Sequence, residues 1–219
     1  HPETFYPLCL CHCPTCSLVQ LNYVIATKRA FGEQYTYLTG SSRSLIEYFG
    51  SLASKLVNRF GLGQGDTVVD IGSNDGTFLK EFRALGVDVL GVEGSKQPRD
   101  LAKKDGIPTL DRFFGEGISA DIRNDLSGRT DPRLITAMNV LAHTDNINEF
   151  LHEVVTLMGP ESMFISQSHW LIALVQQSEF DTIYHEHLRY YTLESLTYLY
   201  AQHGLRVIDA EVTDFYGGS

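Results

Sequence analysis

The segment that most constrains the fold is an apolar run, residues 67–71, that leads directly into the polar turn Gly72-Ser73-Asn74-Asp75-Gly76. β-Branched residues in a short run favour a buried strand. The glycines of the turn permit positive φ and let a ligand approach the backbone closely. The segment has neither a phosphate-binding lysine nor a Gly-x-Gly-x-x-Gly pattern. It therefore predicts a nucleoside-binding turn of an α/β fold and argues against a triphosphate site.

Alternating strand and helix patterns continue beyond this turn. Strands are predicted at 67–71, 87–92, 134–140 and 163–166, and helices at 78–85, near 98–104 and at 147–157. This alternation predicts an α/β fold with a doubly wound, mostly parallel, Rossmann-like sheet and helices on both faces. Upstream, apolar residues at helical spacing predict a helix over 41–60, which Ser41 or Ser42 caps and the glycines at 61–65 end.

A second acidic residue, Glu93, stands at the end of the second predicted strand, 23 residues after Asp70. A carboxylate there accepts hydrogen bonds from the two ribose hydroxyls of a nucleoside cofactor. The carboxylates at Asp70 and in the turn favour the cationic sulfonium of S-adenosylmethionine over the pyrophosphate of NAD. Capping of the following helix is the structural alternative for Asp70. The predicted cofactor-binding residues in this region are Asp70, Gly72, Ser73, Asn74, Asp75 and Glu93.

All four cysteines lie in one short stretch, at Cys9, Cys11, Cys13 and Cys16. The Cys-x-x-Cys turn at 13–16, between two short strands, predicts a zinc knuckle that supplies two thiolates of a tetrahedral site. Four ligands are needed, so Cys9, Cys11 or His12 could complete the site, although a second knuckle upstream is favoured. Alternatively, Cys9 and Cys11 are free thiols. Clustered cysteines indicate a reducing compartment, and we expect the cytoplasm.

Composition excludes two classes of partner. The chain has 17 basic and 27 acidic residues and a net charge of −10, which argues against a nucleic-acid partner. No apolar run reaches the roughly 18 residues of a membrane span, and no signal segment opens the chain. The chain starts without Met and ends in Gly-Gly-Ser, so we expect a fragment.

Several short motifs, in order along nearly the whole chain, resemble the sugar C-methyltransferases of deoxysugar biosynthesis, which act on nucleotide-linked 4-keto-6-deoxyhexoses. The matching stretches are 6–8, 13–16, 18–21, 35–37, 70–76, 91–93, 113–115, Asn139-Val-Leu-Ala-His143 and Phe180-Asp-Thr-Ile-Tyr-His-Glu-His187. The last two stretches are the distinctive ones. The resemblance implies an N-terminal zinc module, a central S-adenosylmethionine domain and a C-terminal domain that helps to hold the nucleotide sugar.

The resemblance also implies a division of the chain. Residues 1–24 would be a partial zinc-binding module, and 25–64 an aromatic loop and linker helix. Residues 65–190 would be the S-adenosylmethionine-binding domain with the catalytic segment, and 191–219 the start of a truncated substrate domain. Two departures from the family are the missing first zinc knuckle and Tyr216, where many relatives have His before Gly-Gly-Ser.

The motif Tyr184-His185-Glu186-His187 concentrates titratable side chains. In an extended segment His185 and His187 would share a face, whereas in a helix Tyr184 and His187 would meet. The resemblance implies that His187 is a base that removes a proton next to the substrate ketone. Tyr37, Tyr184 and Glu186 are then candidates to bind the keto oxygen or to orient the imidazole.

Four further residues are predicted at ligand-binding positions. Asn139 follows the 134–140 strand, at the edge where ligands gather in α/β sheets, and is predicted to bind the cofactor. His143, in the next loop, is a catalytic candidate. Phe113 and Phe114 are predicted to sandwich the adenine. The structural alternatives are a strand-end turn for Asn139, a helix cap for His143 and core packing for the two phenylalanines.

We therefore expect a C-methyltransferase that uses S-adenosylmethionine, carries Zn²⁺ and acts through an enolate on the carbon next to the ketone of a nucleotide-linked sugar. Neither nucleic acid nor membrane is an expected partner. The alternatives are an O- or N-methyltransferase with the same cofactor domain and a non-catalytic zinc-knuckle binding protein.

Overall fold

The computed structural model describes residues 5–26, 30–31, 35–126 and 131–219. Parts of the predicted segments 1–24 and 25–64 lie outside these residues. The chain forms two compact units that interleave along the sequence. The sheet unit comprises Phe31–Met138 and His152–Ser166, and the hairpin unit comprises His1–Ala30, Asn139–Leu151 and Gln167–Ser219. The four-segment domain organisation stays a prediction.

The strands and helices are numbered here in chain order. The strands are β1 Leu10–His12, β2 Val19–Leu21, β3 Thr67–Ile71, β4 Asp88–Val92, β5 Thr109–Leu110, β6 Leu134–Met138, β7 Met163–Gln167 and β8 Arg189–Tyr190. The α-helices are α1 Arg43–Phe60, α2 Thr77–Ala84, α3 Lys96–Lys104, α4 Ile118–Asp125, α5 Ile147–Leu157, α6 Leu171–Gln177 and α7 Leu193–Gln202. Short 3₁₀ turns lie at Thr39–Ser41, Leu141–His143, Phe180–Thr182 and Phe215–Gly217. No helix within the described ranges is long and apolar enough to cross a membrane.

The sheet unit contains a sheet with the strand order β5-β4-β3-β6-β7. β3 pairs in parallel with β4 and with β6, and β4 pairs in parallel with β5. The order reverses direction at β3, so the ligand-binding crevice of such a fold is expected beyond the carboxyl end of β3. The predicted doubly wound parallel sheet is confirmed.

The core of the sheet unit explains why the sequence of β3 predicts a strand. All five residues of β3 are buried, as in a parallel strand that is covered on both faces. α1 and α2 meet through tilted aromatic rings: the ring centroid of Phe49 lies 4.7 Å from that of Phe78, which lies 4.8 Å from that of Phe82. These contacts hold α2, and with it the turn that precedes α2, against the sheet.

Local signals set the ends of α1 as predicted. The Ser42 side chain accepts a hydrogen bond from the Leu45 backbone N–H, so Ser42 is the N-cap. Gly61 ends the helix in the left-handed conformation, at φ 61°. The prediction of β6 was too long, because Asn139 turns into the left-handed region at φ 56° directly after Met138.

The hairpin unit contains a small antiparallel sheet with the order β1-β2-β8. Leu10 pairs with Leu21 and His12 with Val19, so the chain reverses through the predicted Cys13–Cys16 turn. Beneath this sheet lies a small core made by Leu21, Leu174, Leu188 and Tyr190. The predicted hairpin is confirmed, whereas the pairing of β2 with β8 was not predicted.

Candidate active site

Glu93 follows β4 and organises the turn after β3. Its Oε2 accepts the Asn74 backbone N–H at 3.0 Å, and its Oε1 accepts the Ser95 backbone N–H at 2.6 Å. Burial raises the pKa of Glu93, and the hydrogen bonds from Ser95 and Asn74 oppose that shift. A carboxylate has about four acceptor sites. Glu93 therefore retains the capacity to accept ribose hydroxyls while it holds the turn.

Asp70 lies inside β3 and bonds across the sheet rather than to a helix. Its Oδ1 accepts the hydroxyl of Thr136 in β6 at 2.6 Å. Burial raises the pKa of Asp70 to about 7, and the nearby Glu93 adds to the shift while Thr136 opposes it. The N-cap of α2 is Gly76. Capping, the structural alternative for Asp70, is therefore wrong.

The turn itself has the properties that a nucleoside ligand requires. Gly72 and Gly76 have φ angles of 68° and 74°, which favour glycine. The hydroxyl of Ser73 is buried and has no hydrogen-bond partner among the described residues. A buried polar atom without a partner indicates a ligand or water contact. The open backbone, this hydroxyl and the Glu93 carboxylate fit S-adenosylmethionine.

The side chains of Asn74 and Asp75 turn toward the aromatic loop. Asn74 accepts the Thr39 N–H at 2.9 Å and donates to the Tyr37 carbonyl at 3.0 Å. Asp75 Oδ2 accepts the Gly40 N–H at 2.8 Å. Both side chains thus tether residues 37–40 to the turn, a role that the sequence did not predict. Their direct contact with the cofactor stays a prediction.

Phe113, in the loop after β5, packs directly on Gly94. A Cβ at Gly94 would lie 2.5 Å from atoms of the Phe113 ring. Glycine is therefore required beside Glu93 if the ring keeps this position. The neighbouring Phe114 is partly buried. The sandwich of adenine between these phenylalanines stays a prediction.

In the hairpin unit, Tyr184 and His187 form a hydrogen-bonded pair. Residues 184–187 make a tight turn that brings Tyr184 Oη within 3.0 Å of His187 Nε2. His187 Nδ1 lies 2.8 Å from the Thr182 carbonyl, which only accepts, so Nδ1 carries the proton in the neutral ring. Nε2 then accepts the tyrosine hydroxyl. His185 lies elsewhere, with its Nε2 3.0 Å from the Pro7 carbonyl.

The turn thus brings together the two residues that helical spacing would pair, although no helix forms there. His143 joins them from the 3₁₀ turn after β6. Its Nδ1 donates to the backbone carbonyl of Glu186 at 2.8 Å, and its ring centroid lies 5.0 Å from that of His187. Burial and the neighbouring His187 lower the pKa of His143 to about 4. The predicted residues Tyr184, Glu186, His187 and His143 therefore lie in one cluster.

Sequence reasoning missed His169, a fourth aromatic ring of this cluster. Its ring centroid lies 4.5 Å from that of His187. Burial and His187 lower the pKa of His169 to about 4, and burial lowers the pKa of His187. All three imidazoles are thus neutral near pH 7. His169 follows β7 at the carboxyl end of a strand, and that position was the available signal.

The other predicted residues divide between the two units. Tyr37 belongs to the sheet unit with the cofactor residues, whereas Asn139 belongs to the hairpin unit with the histidines. The Asn139 N–H donates to the Gln167 carbonyl at 2.9 Å. Its side-chain oxygen is buried and, in the described part of the chain, has no hydrogen-bond partner.

The knuckle supplies two thiols but no complete metal site. Hydrogen bonds from the backbone N–H groups of Cys16 and Thr15 lower the pKa of the Cys13 thiol. A hydrogen bond from the Cys16 side chain acts in the same direction. Cys9 and Cys11 are exposed. Across the described ranges, no three His, Cys, Asp or Glu residues are grouped to hold a metal. Completion of the site by Cys9, Cys11 or His12 therefore stays a prediction.

Known proteins are similar to this chain in sequence and in fold. The family described as "Methyltransferase domain" matches residues 45–210. C-methyltransferase NovU of Streptomyces niveus is 35% identical over 218 residues, which are 99% of this chain and 51% of NovU. The chain therefore spans about half the length of that relative.

Two solved structures show the same fold at low identity. One is a SAM-dependent methyltransferase from Archaeoglobus fulgidus, with 17% identity, a TM-score of 0.56 and coverage of 74% of this chain and 69% of that one. The other is the plantazolicin methyltransferase BpumL in complex with SAH, with 18% identity, a TM-score of 0.52 and coverage of 70% and 61%. Together with the family match and the geometry of the turn, these findings lead to one conclusion. The chain belongs to the methyltransferase-domain family and has the class I methyltransferase fold.

Proposed function

We propose that the enzyme methylates the carbon next to the ketone of a nucleotide-linked 4-keto-6-deoxy sugar. The observation that carries the proposal is the pairing of a neutral imidazole, His187, with the Tyr184 hydroxyl. Proton removal from a carbon acid needs a base, whereas a neutral amine acceptor already carries the lone pair that attacks the methyl group. The 35% identical relative is named a C-methyltransferase, which supports the same reaction.

The exposure of the two residues supports a path for the proton. Tyr184 is 40% exposed, whereas His187 is 6% exposed and lies behind it. In the proposed step, the substrate C–H proton passes to Tyr184 Oη as that oxygen gives its own proton to His187 Nε2. The C–H electron pair becomes the enolate, His187 becomes a cation and Tyr184 remains neutral. The Thr182 carbonyl, which accepts from Nδ1, stabilises the cation.

The protonation states suit this step near neutral pH. Burial lowers the pKa of His187, so its Nε2 lone pair is available. Burial raises the pKa of Tyr184, so the hydroxyl keeps the proton that it relays. Burial also raises the pKa of the Glu186 carboxyl group.

The sheet unit supplies the methyl donor. S-adenosylmethionine, when bound, provides an electrophilic methyl group on a positively charged sulfur. Glu93, Ser73 and the glycines of the turn would hold its ribose and amino-acid portions. Asn74 and Asp75 fix the aromatic loop that carries Tyr37.

The remaining parts of the proposal concern the whole protein. Cys13 and Cys16 would hold structural zinc together with two ligands from outside the described residues. The nucleotide sugar would be the partner, and the cytoplasm the location. Both rest on the family resemblance and on composition.

Deuterium exchange tests the reaction type. The protein is incubated in heavy water with the 4-keto sugar nucleotide and S-adenosylhomocysteine, which allows no methyl transfer. We expect deuterium at the carbon next to the ketone by NMR, and a loss of about 10²–10⁴ in rate in His187→Asn. The matched control is His185→Asn, because that ring lies against Pro7 rather than Tyr184.

The result also separates the alternatives. Methylation of a hydroxyl or amine without any exchange would establish the O- or N-methyltransferase reading and remove the carbon-acid step. Binding of S-adenosylhomocysteine with neither exchange nor turnover on keto sugars would contradict the proposed substrate but not the methyltransferase family.

A further inference from the structure

Arg99, in α3, touches two loops that the proposed reaction does not explain. It is 8% exposed, although it carries a permanent charge. Its Nη1 donates to the Gly94 carbonyl at 3.1 Å and lies 2.5 Å from Asp111 Oδ1. Its backbone N–H donates to the Ser95 carbonyl at 3.3 Å. Burial of a charged guanidinium costs free energy, which its hydrogen bonds to acceptors on both loops offset. These bonds also fix the distance between the two loops.

The two loops follow neighbouring strands. Gly91 pairs with Thr109 and Val92 with Leu110, so the loops after β4 and β5 leave the same edge of the sheet. The Glu93 backbone N–H donates to the Leu110 carbonyl at 3.1 Å, which is the last bond between the strands. Beyond it, Arg99 is the described side chain that bonds to both loops.

These loops carry the residues assigned to the nucleoside. One presents the Glu93 carboxylate and the bare face of Gly94, and the other presents Phe113, whose ring packs on that face. A shift of either loop would change the space beside Gly94. The positive charge of Arg99 also acts on Glu93: burial raises the pKa of that carboxyl group, and Arg99 is among the groups that oppose the shift.

We propose that Arg99 is a positioning residue for the adenosine half of the cofactor, because it bridges Gly94 to Asp111 and so sets the spacing between the Glu93–Ser95 loop and the Asp111–Phe113 loop. Arg99 does not contact the cofactor in this role. It acts through the carbonyl of Gly94 and the carboxylate of Asp111. The inference needs only cofactor binding and is independent of the methyl acceptor.

Equilibrium binding tests the proposal without turnover. Calorimetry measures the Kd of S-adenosylhomocysteine and of 5′-methylthioadenosine, which carries the adenosine half alone. Arg99→Ala should weaken both ligands by the same factor, about 10- to 100-fold, because the two loops would no longer hold Glu93 and Phe113 in place for the adenosine. Arg99→Lys should recover part of the loss, because an ammonium reaches one acceptor but lacks the planar fork.

Lys96→Ala is the matched control. Lys96 lies on the same helix and pairs with Asp100 at the exposed surface, so its removal takes away one positive charge and leaves both loops untouched. Its ligand affinities should stay within about twofold of the wild type. An equal loss in Lys96→Ala would mean that net charge alone matters, and that result overturns the proposal.

A double-variant cycle separates positioning from general destabilisation. Asp111→Asn, at a side chain that is 62% exposed, should weaken both ligands less than Arg99→Ala, and the two changes together should cost less than their sum. Additive losses, or a loss for S-adenosylhomocysteine that 5′-methylthioadenosine does not share, would contradict the bridge. If Arg99→Ala does not fold, Arg99→Lys and Asp111→Asn still decide the question.

Discussion

Tyr184 Oη lies 3.0 Å from His187 Nε2, and the opposite nitrogen of the same imidazole is held by the Thr182 carbonyl. The tyrosine is the exposed end of this pair and the histidine the buried end. A buried base whose lone pair is covered by a hydroxyl differs from a base that meets its substrate directly. The two cases predict different behaviour of one conservative variant.

Tyr184→Phe removes the hydroxyl and keeps the ring. If the proton passes through Tyr184 Oη, this variant should lose exchange of the substrate C–H proton about as severely as His187→Asn, by roughly 10²–10⁴. Its affinity for S-adenosylhomocysteine should stay near that of the wild type. NMR-detected deuterium incorporation measures the rate. Near-normal exchange in Tyr184→Phe, combined with a large loss in His187→Asn, would show that the histidine takes the proton directly.

The sequence predicted the helices and strands whose apolar residues form a clear pattern, and it predicted helix ends where capping residues are present. α1 has a serine N-cap and a glycine C-cap, and β3 is a short β-branched run that is buried throughout. β5 has two residues, and α4 has a glycine N-cap, Gly117, which offers no side-chain hydrogen bond. Neither carries enough apolar residues for periodicity to reveal it, because packing on neighbours stabilises such short elements.

In the site, too, the contacts between residues close in sequence were predicted, and the contacts between distant residues were not. Glu93 could be placed from its spacing to Asp70, because one strand-helix-strand unit fixes that spacing. The bonds of Asn74 and Asp75 to Thr39 and Gly40 span 35 positions, and no local pattern encodes them. His169 joins His187 only when the fold brings two separate loops together, so its position after β7 indicated the ligand-binding edge of the sheet but not this contact.

Gly40→Ala tests the tether between the aromatic loop and the turn. A Cβ at Gly40 would lie 2.8 Å from both Asp75 Oδ2 and Thr77 Oγ1, which is closer than real contacts allow. We expect a loss of about 1–3 kcal/mol in the free energy of unfolding, measured with urea. Gly63→Ala is the control, because no heavy atom of the described residues, beyond its chain neighbours, lies within 4 Å of its Cβ position. Equal stability of the two variants would contradict the tether.

Glu93→Ala tests the ribose contact. Removal of a charged acceptor should cost about 1.5–3 kcal/mol of S-adenosylmethionine binding, measured by calorimetry. Glu47→Gln, at an exposed side chain of α1, serves as the control and should bind as the wild type does. NAD should bind more weakly than S-adenosylmethionine to the wild type. Unchanged affinity in Glu93→Ala would remove this residue from the ribose, and tighter NAD binding would reverse the cofactor preference of the turn.

Cys13→Ser tests the zinc knuckle. Full-length protein should contain about one zinc per chain by elemental analysis, and Cys13→Ser should lose it because its sulfur is one of the two knuckle thiols. Cys9→Ser is the control and should keep the metal if a second knuckle outside the described residues completes the site, because Cys9 is then an exposed free thiol. If the wild type contains no metal and unfolds at the same temperature as Cys13→Ser, the segment Cys13–Cys16 is only a tight turn.

Asp70→Asn tests the buried carboxyl group through the pH dependence of stability. Burial raises the pKa of Asp70 from 3.8 to about 7, so the folded state favours the protonated form. The stability that Asp70 contributes is full below about pH 4 and is lost as the pH rises through about 7. Asparagine does not ionise and still accepts the Thr136 hydroxyl. The stability of the variant relative to the wild type should therefore increase over this range.

Urea unfolding at pH 5 and at pH 8 measures the difference. His143 and His169 act in the opposite direction, because a lowered histidine pKa adds stability as the pH rises from about 4 toward 6.5. Both histidines are present in both proteins, so their contributions cancel when one unfolding free energy is subtracted from the other. The remaining difference in unfolding free energy comes from Asp70, from its hydrogen bond with Thr136 and from the charge of Glu93. Parallel stability curves for the two proteins would show that Asp70 is already ionised in the fold at pH 5.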